Sequence, residues 1–183
     1  MTGLSRLLIL ALAIVALAGC AKPSPQLHVY TPKPPTDFIK TSYGAGDALI
    51  SQIAKTLPAA DSALIVATLV NINRLDESSP LGRLVAEHLA ARFSQNGYRV
   101  VETKLRNQLY MKRDAGELIL SREIRDVAKK HSVRAIVSGT YADSSDRVFV
   151  SLKIIEIESN VVMAAFDYAL DKDKLTKSLL SSS

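Results

Sequence analysis

Histidine side chains often carry catalysis or bind metal ions near neutral pH, and this chain has three of them. They are His28, His88 and His131, and no two of them have HxxxH or HxH spacing. The single cysteine of the chain, Cys20, is not placed to complete a metal-ligand pair with any of them. His88 falls close to the apolar stripe of a predicted helix, where a packed imidazole is expected. The histidines therefore predict no metal centre.

Patterns of hydrolases and of nucleotide-binding proteins give no better candidate. Neither a Gly-x-Ser-x-Gly turn nor a Ser-x-x-Lys motif occurs in residues 43–170. Gly44-Ala45-Gly46 precedes a helical pattern, but the strand that must lead into a phosphate-binding loop is missing. Asp76 and Glu77 stand before Ser79-Pro80, and we expect them to favour the start of the next helix, because acidic groups are stabilised there. The chain is predicted to be non-enzymatic and to bind no cofactor.

A cluster of basic side chains surrounds Tyr110, and it is the best candidate for a contact surface in the sequence. Its members are Lys104, Arg106, Lys112 and Arg113. A solvated loop and a specific phosphate-binding patch are the two interpretations that remain open. The formal net charge of +5 loses one unit without residues 1–19, which hold one arginine and no acid. That excess is too small to indicate nucleic-acid binding.

Among the candidate residues, Cys20 has the sequence context that predicts its chemistry most clearly. It follows a short basic start and the uninterrupted apolar run of residues 7–17. That run is shorter than the roughly 20 residues that span a bilayer, and it matches the core of a signal peptide. Leu17-Ala18-Gly19-Cys20 resembles the lipobox of bacterial lipoproteins. We therefore expect cleavage between Gly19 and Cys20, and acyl chains on Cys20 that anchor the mature chain to a membrane.

Composition divides the rest of the chain into a linker, a domain and a tail. Residues 20–42 contain the lipidated cysteine and five of the seven prolines, so an extended linker is predicted there. Residues 43–170 have the length of one ordinary domain. Residues 171–183 form a tail in which a short amphipathic helix and a loose end are both open.

Hydrophobic periodicity predicts the elements of the domain. Helices are predicted over 45–57, from Ser79-Pro80 to Asn96-Gly97, and over 121–131. Strands are predicted over 63–70, 99–103, 135–141, the alternating stretch 148–154, and 161–170. The nearly continuous apolar run 63–70 is typical of a central strand that is buried on both faces. The order α-β-α-β-α-β-β-β predicts an α/β (α+β) single domain, with three strands linked through helices and then an antiparallel meander in a mixed sheet.

Four blocks of the chain, in this order, resemble the FlgO family over about residues 43–170. They are Ser78-Ser79-Pro80-Leu81-Gly82-Arg83 with Glu87, then Gly97-Tyr98, then Gly116-Glu117-Leu118-Ile119-Leu120-Ser121-Arg122, and then Gly139-Thr140-Tyr141. Serine, proline and glycine at these positions fit helix starts, turns and close packing. The blocks therefore define a fold and do not mark an active site.

The resemblance implies an outer-membrane lipoprotein that is needed for flagellar motility in Gram-negative bacteria. It implies a non-catalytic structural or assembly component, with flagellar basal-body or outer-membrane ring proteins as partners, and it leaves a homo-oligomer open. The alternative is an outer-membrane lipoprotein that regulates a cell-wall synthase or an envelope secretion complex. The long proline-rich linker suits that alternative at least as well.

Overall fold

The structure, a computed structural model, describes residues 37–102 and 122–181 of the chain. These residues form a single α+β domain whose element order agrees with the predicted one, except that a 3₁₀ turn precedes the first strand, that strand is divided in two, and a fourth helix follows the last strand. The elements are α1 (Phe38–Ile53), a 3₁₀ turn (Ala59–Asp61), β1 (Ala63–Val66), β2 (Val70–Asn71), α2 (Pro80–Gln95), β3 (Arg99–Val100), α3 (Arg122–His131), β4 (Val133–Asp143), β5 (Arg147–Glu156), β6 (Val162–Asp171) and α4 (Lys174–Leu180).

The six strands form one mixed sheet in the order β3-β1-β4-β5-β6, and β2 pairs with β4. β1 is parallel to both β3 and β4, whereas β4, β5 and β6 are antiparallel neighbours. The parallel strands are joined through helices and the antiparallel strands through short turns, as the sequence predicted. β1 has a neighbour on each side, and Ala63, Leu64 and Ile65 are fully buried. This confirms the predicted central strand.

Two hydrophobic cores lie on the two faces of the sheet. The larger core lies under α1, α2 and α4, and it includes the alternate residues Val148, Val150, Leu152 and Ile154 of β5. The smaller core lies on the other face, where Ala128 of α3 is packed with apolar residues of β1, β4 and β5. α3 has only ten residues. This helix therefore covers one end of the second face and leaves the other end exposed.

α1 begins at Phe38, which is seven residues before the predicted start at Ala45. The Asp37 carboxylate accepts a hydrogen bond from the Lys40 amide at 3.0 Å, which caps the helix. Phe38 is buried, and its ring lies against that of His88 in α2 with 5.6 Å between centroids. The predicted extended linker, residues 20–42, thus includes five residues that are helical. A polar cap followed by a buried aromatic residue starts the helix there.

The predicted strand 63–70 is interrupted at residues 67–69. The Ala67 amide still donates to the Val137 carbonyl of β4 at 2.8 Å, whereas the Leu69 amide donates to the Gly82 carbonyl at 3.3 Å. The Leu69 side chain is buried in the larger core. The chain leaves the strand pairing because α2 begins beside it and takes up the Leu69 amide.

The tail contains a helix that packs on the domain. The Asp173 carboxylate caps α4 by accepting a hydrogen bond from the Thr176 amide at 2.8 Å. Thr176 is buried, and Leu179 and Leu180 pack against the larger core. A short helix and a loose end were both open for residues 171–183, and the structure shows the helix at Lys174–Leu180. The packed part of the chain therefore extends beyond the predicted limit at residue 170.

Candidate binding surface

Two of the sequence blocks meet where α2 begins beside β4. Residues 78–83 form the start of α2, and residues 139–141 lie in β4. Leu69 lies between them because two glycines leave room for it. A Cβ atom at Gly139 would lie 3.0 Å from Leu69 Cγ, and one at Gly82 would clash with the Leu69 carbonyl oxygen. Glycine at these two positions lets the helix and the sheet approach closely.

The serine hydroxyls at this junction are engaged inside the fold. Ser78 Oγ donates a hydrogen bond to the Leu69 carbonyl at 2.7 Å, and Ser79 Oγ accepts one from the Gly82 amide at 3.3 Å. Ser79 is buried at the N-cap of α2, as the sequence predicted. The hollow beside these residues has a volume of only about 100 Å³. The junction is structural, and neither serine is arranged as a nucleophile.

The carboxylates that precede α2 form no paired acidic site. Glu77 Oε2 lies 2.9 Å from Arg74 Nη1 in an ion pair whose side chains are both at least half exposed. The cap of α2 is Ser79, and the Glu77 carboxylate is engaged with Arg74 rather than with the helix amides. Arg83, on the first turn of α2, is exposed to solvent. These charged groups lie at the surface of the fold.

His88 is a packed histidine, in agreement with the sequence analysis. Its ring makes edge-on contacts with Phe38 and Tyr43 of α1, at centroid distances of 5.6 and 6.1 Å. The Nδ1 atom is buried and has no hydrogen-bond partner. Burial lowers the pKa of His88, and the nearby Glu87 carboxylate partly opposes that effect. Within residues 37–102 and 122–181, no group of three or more metal-ligating side chains occurs, and no helix is long and apolar enough to cross a bilayer.

The exposed end of the second sheet face bears a concavity beside the family block at residues 139–141. The pairing of β4, β5 and β6 arranges two rows of side chains on it, and Ile72 borders them from the segment after β2. We call this surface the open face. Its residues are Ile72, Ala142, Phe149 and Ala169, with Thr140, Ser151 and Asp167 in the neighbouring row.

The open face combines exposed apolar groups with a polar row. Ile72 is 51% exposed and Phe149 is 52% exposed. Ser151 Oγ donates to Asp167 Oδ1 at 2.5 Å, which fixes the carboxylate beside the apolar row. The concavity over these side chains has a volume of about 500 Å³. Large apolar side chains left in contact with water favour association with another surface. The open face therefore presents apolar and hydrogen-bonding groups together to solvent.

Comparison with known families matches residues 43–175 to the FlgO protein family. The match includes α2, all six strands and most of α1. The chain belongs to the FlgO family. This family match confirms the resemblance that the four sequence blocks indicated. A search of curated protein sequences finds no significant match to this FlgO-family chain.

A search of solved structures finds chains that are similar to this FlgO-family chain at low sequence identity. The C-terminal domain of LpoB from Escherichia coli has 14% identity and a TM-score of 0.48, and the match covers 70% of this chain and 97% of that one. The NMR structure of E. coli LpoB has 16% identity and a TM-score of 0.47, with coverages of 83% and 80%. The PelC dodecamer from Paraburkholderia phytofirmans has 12% identity and a TM-score of 0.40, with coverages of 68% and 83%. These likenesses are too distant to carry a partner or an activity to this chain.

Several residues singled out from the sequence lie outside the described part of this FlgO-family chain, and their roles stay predictions. They are the lipidation site Cys20, the cleavage site Gly19–Cys20, and the basic cluster Lys104, Arg106, Lys112 and Arg113. The open face was not among the surfaces predicted from the sequence. Phe149 could have indicated it, because this aromatic residue stands at an outward-facing position in the alternating pattern of β5.

Proposed function

We propose that this FlgO-family chain is an outer-membrane lipoprotein that acts as a non-catalytic structural or assembly component of the flagellum and is needed for motility. The observation that carries the proposal is the family match over residues 43–175. A component of this kind works through surfaces that hold partners at a fixed position. The chain's partners are then basal-body or outer-membrane ring proteins, and copies of the chain repeated around an axis are one arrangement that fits.

The chemistry of the domain supports a binding role. Ser78 and Ser79 belong to the family blocks, and their hydroxyls are engaged inside the fold. The open face instead offers Phe149 and Ile72 to solvent at the rim of a concavity. Exposed apolar groups beside a polar row suit contact with protein. The proposed function therefore depends on contact surfaces and involves no chemical reaction.

Membrane anchoring through Cys20 is the first part of the proposal to test. A single acyl chain binds a membrane weakly, at about 0.8 kcal/mol per buried CH₂, whereas several chains on one cysteine anchor it stably. We expect Cys20→Ser to abolish incorporation of labelled palmitate and to remove the protein from outer-membrane fractions. Incorporation of palmitate into the Cys20→Ser protein would show that the anchor lies elsewhere.

The motility role is tested by deleting the gene and restoring it. Deletion is expected to impair swimming while growth and cell shape stay near normal, and the unmodified gene is expected to restore swimming. Normal swimming together with a cell-wall defect would contradict the proposal. That outcome would instead favour a lipoprotein that regulates a cell-wall synthase or an envelope secretion complex from across the wall.

The basic cluster is proposed as a second contact surface, in addition to the open face. Reversing the charge of Lys104 and Arg106 together is expected to weaken association with the basal body, while the thermal unfolding transition stays in place. Reversal of the charges of Arg83 on α2 and Lys40 on α1, which are both exposed to solvent, serves as the matched control. Equal loss of association in both double variants would show an effect of net charge alone.

A further inference from the structure

β6 is an edge strand of the sheet, and one side chain shows which of its backbone groups point outward. Gln52 of α1 reaches the edge, where its Nε2 donates to the Ala165 carbonyl at 3.0 Å and its Oε1 accepts from the Ala165 amide at 3.3 Å. The amide and the carbonyl of Ala165 therefore both point away from β5. The Gln52 side chain occupies the place that a residue of a further strand would take.

The outward direction of Ala165 determines the direction of its alternate neighbours. In an antiparallel pair, every second residue turns both its N–H and its C=O away from the paired strand. The pairing of β5 with β6 is regular from Ile154–Ala164 to Arg147–Asp171. The backbone groups of Asp167 and Ala169 therefore also point outward. Within the described residues, these four groups have no hydrogen-bond partner.

The side chains along this edge alternate in size and charge. Ala165, Asp167 and Ala169 all lie on the exposed side of β6, so a small residue stands on each side of the one carboxylate. The Asp167 carboxylate accepts a hydrogen bond from Ser151, and no basic side chain among residues 37–102 and 122–181 forms an ion pair with it. Phe149 lies next to Ala169 across the β5–β6 pair. An added strand would thus meet free backbone groups, a negative charge and an apolar ring in succession.

Pairing of β6 with a second copy of itself is disfavoured by this pattern. A two-fold antiparallel pair centred on Asp167, or between Asp167 and Ala169, brings the two Asp167 carboxylates opposite or diagonal to each other. A pair centred on Ala169 places Asp167 opposite Asp171 of the other copy. Like charges in such positions are destabilising. A strand that carries lysine or arginine at the same place gains an ion pair instead. Edge strands are commonly protected against self-association by charges, and Gln52 and Asp167 do so here. This arrangement disfavours pairing with a second copy of β6, but it allows pairing with a strand that carries a basic side chain.

We propose that β6, at Asp167 and Ala169, accepts an extended basic segment of a partner protein as an additional strand of the sheet. The backbone of the segment would bond to the free amide and carbonyl groups, as in known strand-addition complexes. A lysine or arginine of the segment would lie beside Asp167, and an apolar residue would lie toward Phe149. Gln52 sets the end of the docking strand at Ala165. This inference does not depend on the flagellar role.

Binding of short peptides to the mature full-length chain tests the inference. The probe is a capped, fluorescently labelled peptide, Thr-Lys-Thr-Val-Thr-Lys-Thr, whose lysines and valine share one face, and the matched controls have glutamate in place of lysine or proline in place of the central valine. Fluorescence anisotropy is expected to show saturable binding of the lysine peptide, and binding of each control weakened by about tenfold or more. Equal binding of the lysine and glutamate peptides, or no binding of any peptide at millimolar concentration, would overturn the proposal.

Variants of the edge locate the binding. Ala169→Pro removes an amide that points outward, a position where an edge strand tolerates proline, and we expect it to fold and to lose binding of the lysine peptide. Asp167→Asn is expected to weaken binding by about fivefold. Asp61→Asn removes the same charge from an exposed position on the 3₁₀ turn before β1, and no change is expected there. Unchanged binding in both Ala169→Pro and Asp167→Asn would place the peptide elsewhere and refute the inference.

Amide hydrogen exchange in the unmodified chain gives a measurement that does not depend on the folding of any variant. The Asp167 and Ala169 amides are expected to exchange rapidly in the free protein and about tenfold more slowly when the lysine peptide is bound. The Ala165 amide, already bonded to Gln52, is expected to change little. If the Asp167 and Ala169 amides already exchange slowly without peptide, they are already hydrogen-bonded. That result would overturn the proposal.

Discussion

At position 82, a single added methyl group tests the junction between α2 and the sheet. The Cβ atom of an alanine would clash with the Leu69 carbonyl oxygen and would lie 2.7 Å from Ser78 Oγ. Neither group is free to move, because Ser78 Oγ is bonded to that same carbonyl. We expect Gly82→Ala to lower the free energy of unfolding by about 1–3 kcal/mol, the usual effect of overpacking. Urea unfolding followed by circular dichroism measures it.

Gly44 provides the matched control for this substitution. It lies inside α1, and a Cβ atom there would have no neighbour within 4 Å. Alanine is favoured over glycine within a helix by roughly 0.5–1 kcal/mol, so Gly44→Ala is expected to stabilise the domain. A loss of stability in Gly44→Ala as large as that in Gly82→Ala would contradict the packing role of Gly82.

His88 makes the stability of the domain depend on pH. Burial between Phe38 and Tyr43 lowers the pKa of His88 below the 6.5 of a free histidine. The unfolded chain therefore binds a proton at a higher pH than the folded chain does. The stability that the neutral imidazole provides is complete above pH 6.5, and it is lost as the pH falls from 6.5 through the lower folded-state pKa.

A substitution separates this effect from the titration of other groups. We expect the free energy of unfolding to fall between pH 7.5 and pH 5.5 in the unmodified protein, and to fall less in His88→Phe, which keeps an aromatic ring in contact with α1. His131→Gln, at an exposed position on α3, is the control and is expected to behave like the unmodified protein. Urea unfolding at the two pH values checks this; parallel pH dependences in all three proteins would contradict the assignment.

Among the elements, α1 supplies a clear test of where the folded part begins. A chain that starts at Tyr43 lacks the Asp37 cap and the buried Phe38 ring. Loss of a buried phenylalanine costs about 3–5 kcal/mol and loss of a cap about 1 kcal/mol. We expect a chain starting at residue 36 to melt like the full mature chain, and a chain starting at Tyr43 to melt at a much lower temperature. Equal melting temperatures for the two truncated chains would show that residues 37–42 do not stabilise the domain.

Elements whose signal is local were predicted correctly. The 3.6-residue period and the Ser79-Pro80 start define α2, and the two-residue alternation of Val148 to Ile154 defines β5. The order of helices and strands then restricts the sheet to few arrangements, which is why β1 could be predicted as a central strand. In each case the information lies within one segment of the chain.

Features that depend on distant contacts could not be predicted from the sequence. The start of α1 is set in part by contact of Phe38 with His88, fifty residues later in the chain. The break between β1 and β2 depends on the space that Gly82 and Gly139 leave for Leu69. The open face exists because α3 is short and covers one end of the sheet only. The sequence pattern of β5 alone does not show which of its outward residues is left uncovered.

For the molecule as a whole, the open face is the surface of the described domain whose role in assembly is easiest to test. Phe149→Ser removes its exposed ring, and because the side chain is half exposed we expect the free energy of unfolding to change by about 1 kcal/mol or less. Swimming on soft agar is expected to be reduced. Leu175→Ser, at a 46% exposed position on α4, is the matched control and should swim normally. Reduced swimming in both variants, or in neither, would argue against the open face as a contact surface.

Purification of hook–basal bodies, followed by probing for the protein, tests whether this FlgO-family chain is part of the flagellar structure. An abundant outer-membrane protein without a flagellar role serves as the contamination control. We expect the chain to copurify with basal bodies in far greater amount than the control, and we expect this enrichment to be lost from cells that carry Cys20→Ser. Recovery of the chain with the bulk envelope, at no higher level in basal bodies than the control protein, would contradict this expectation.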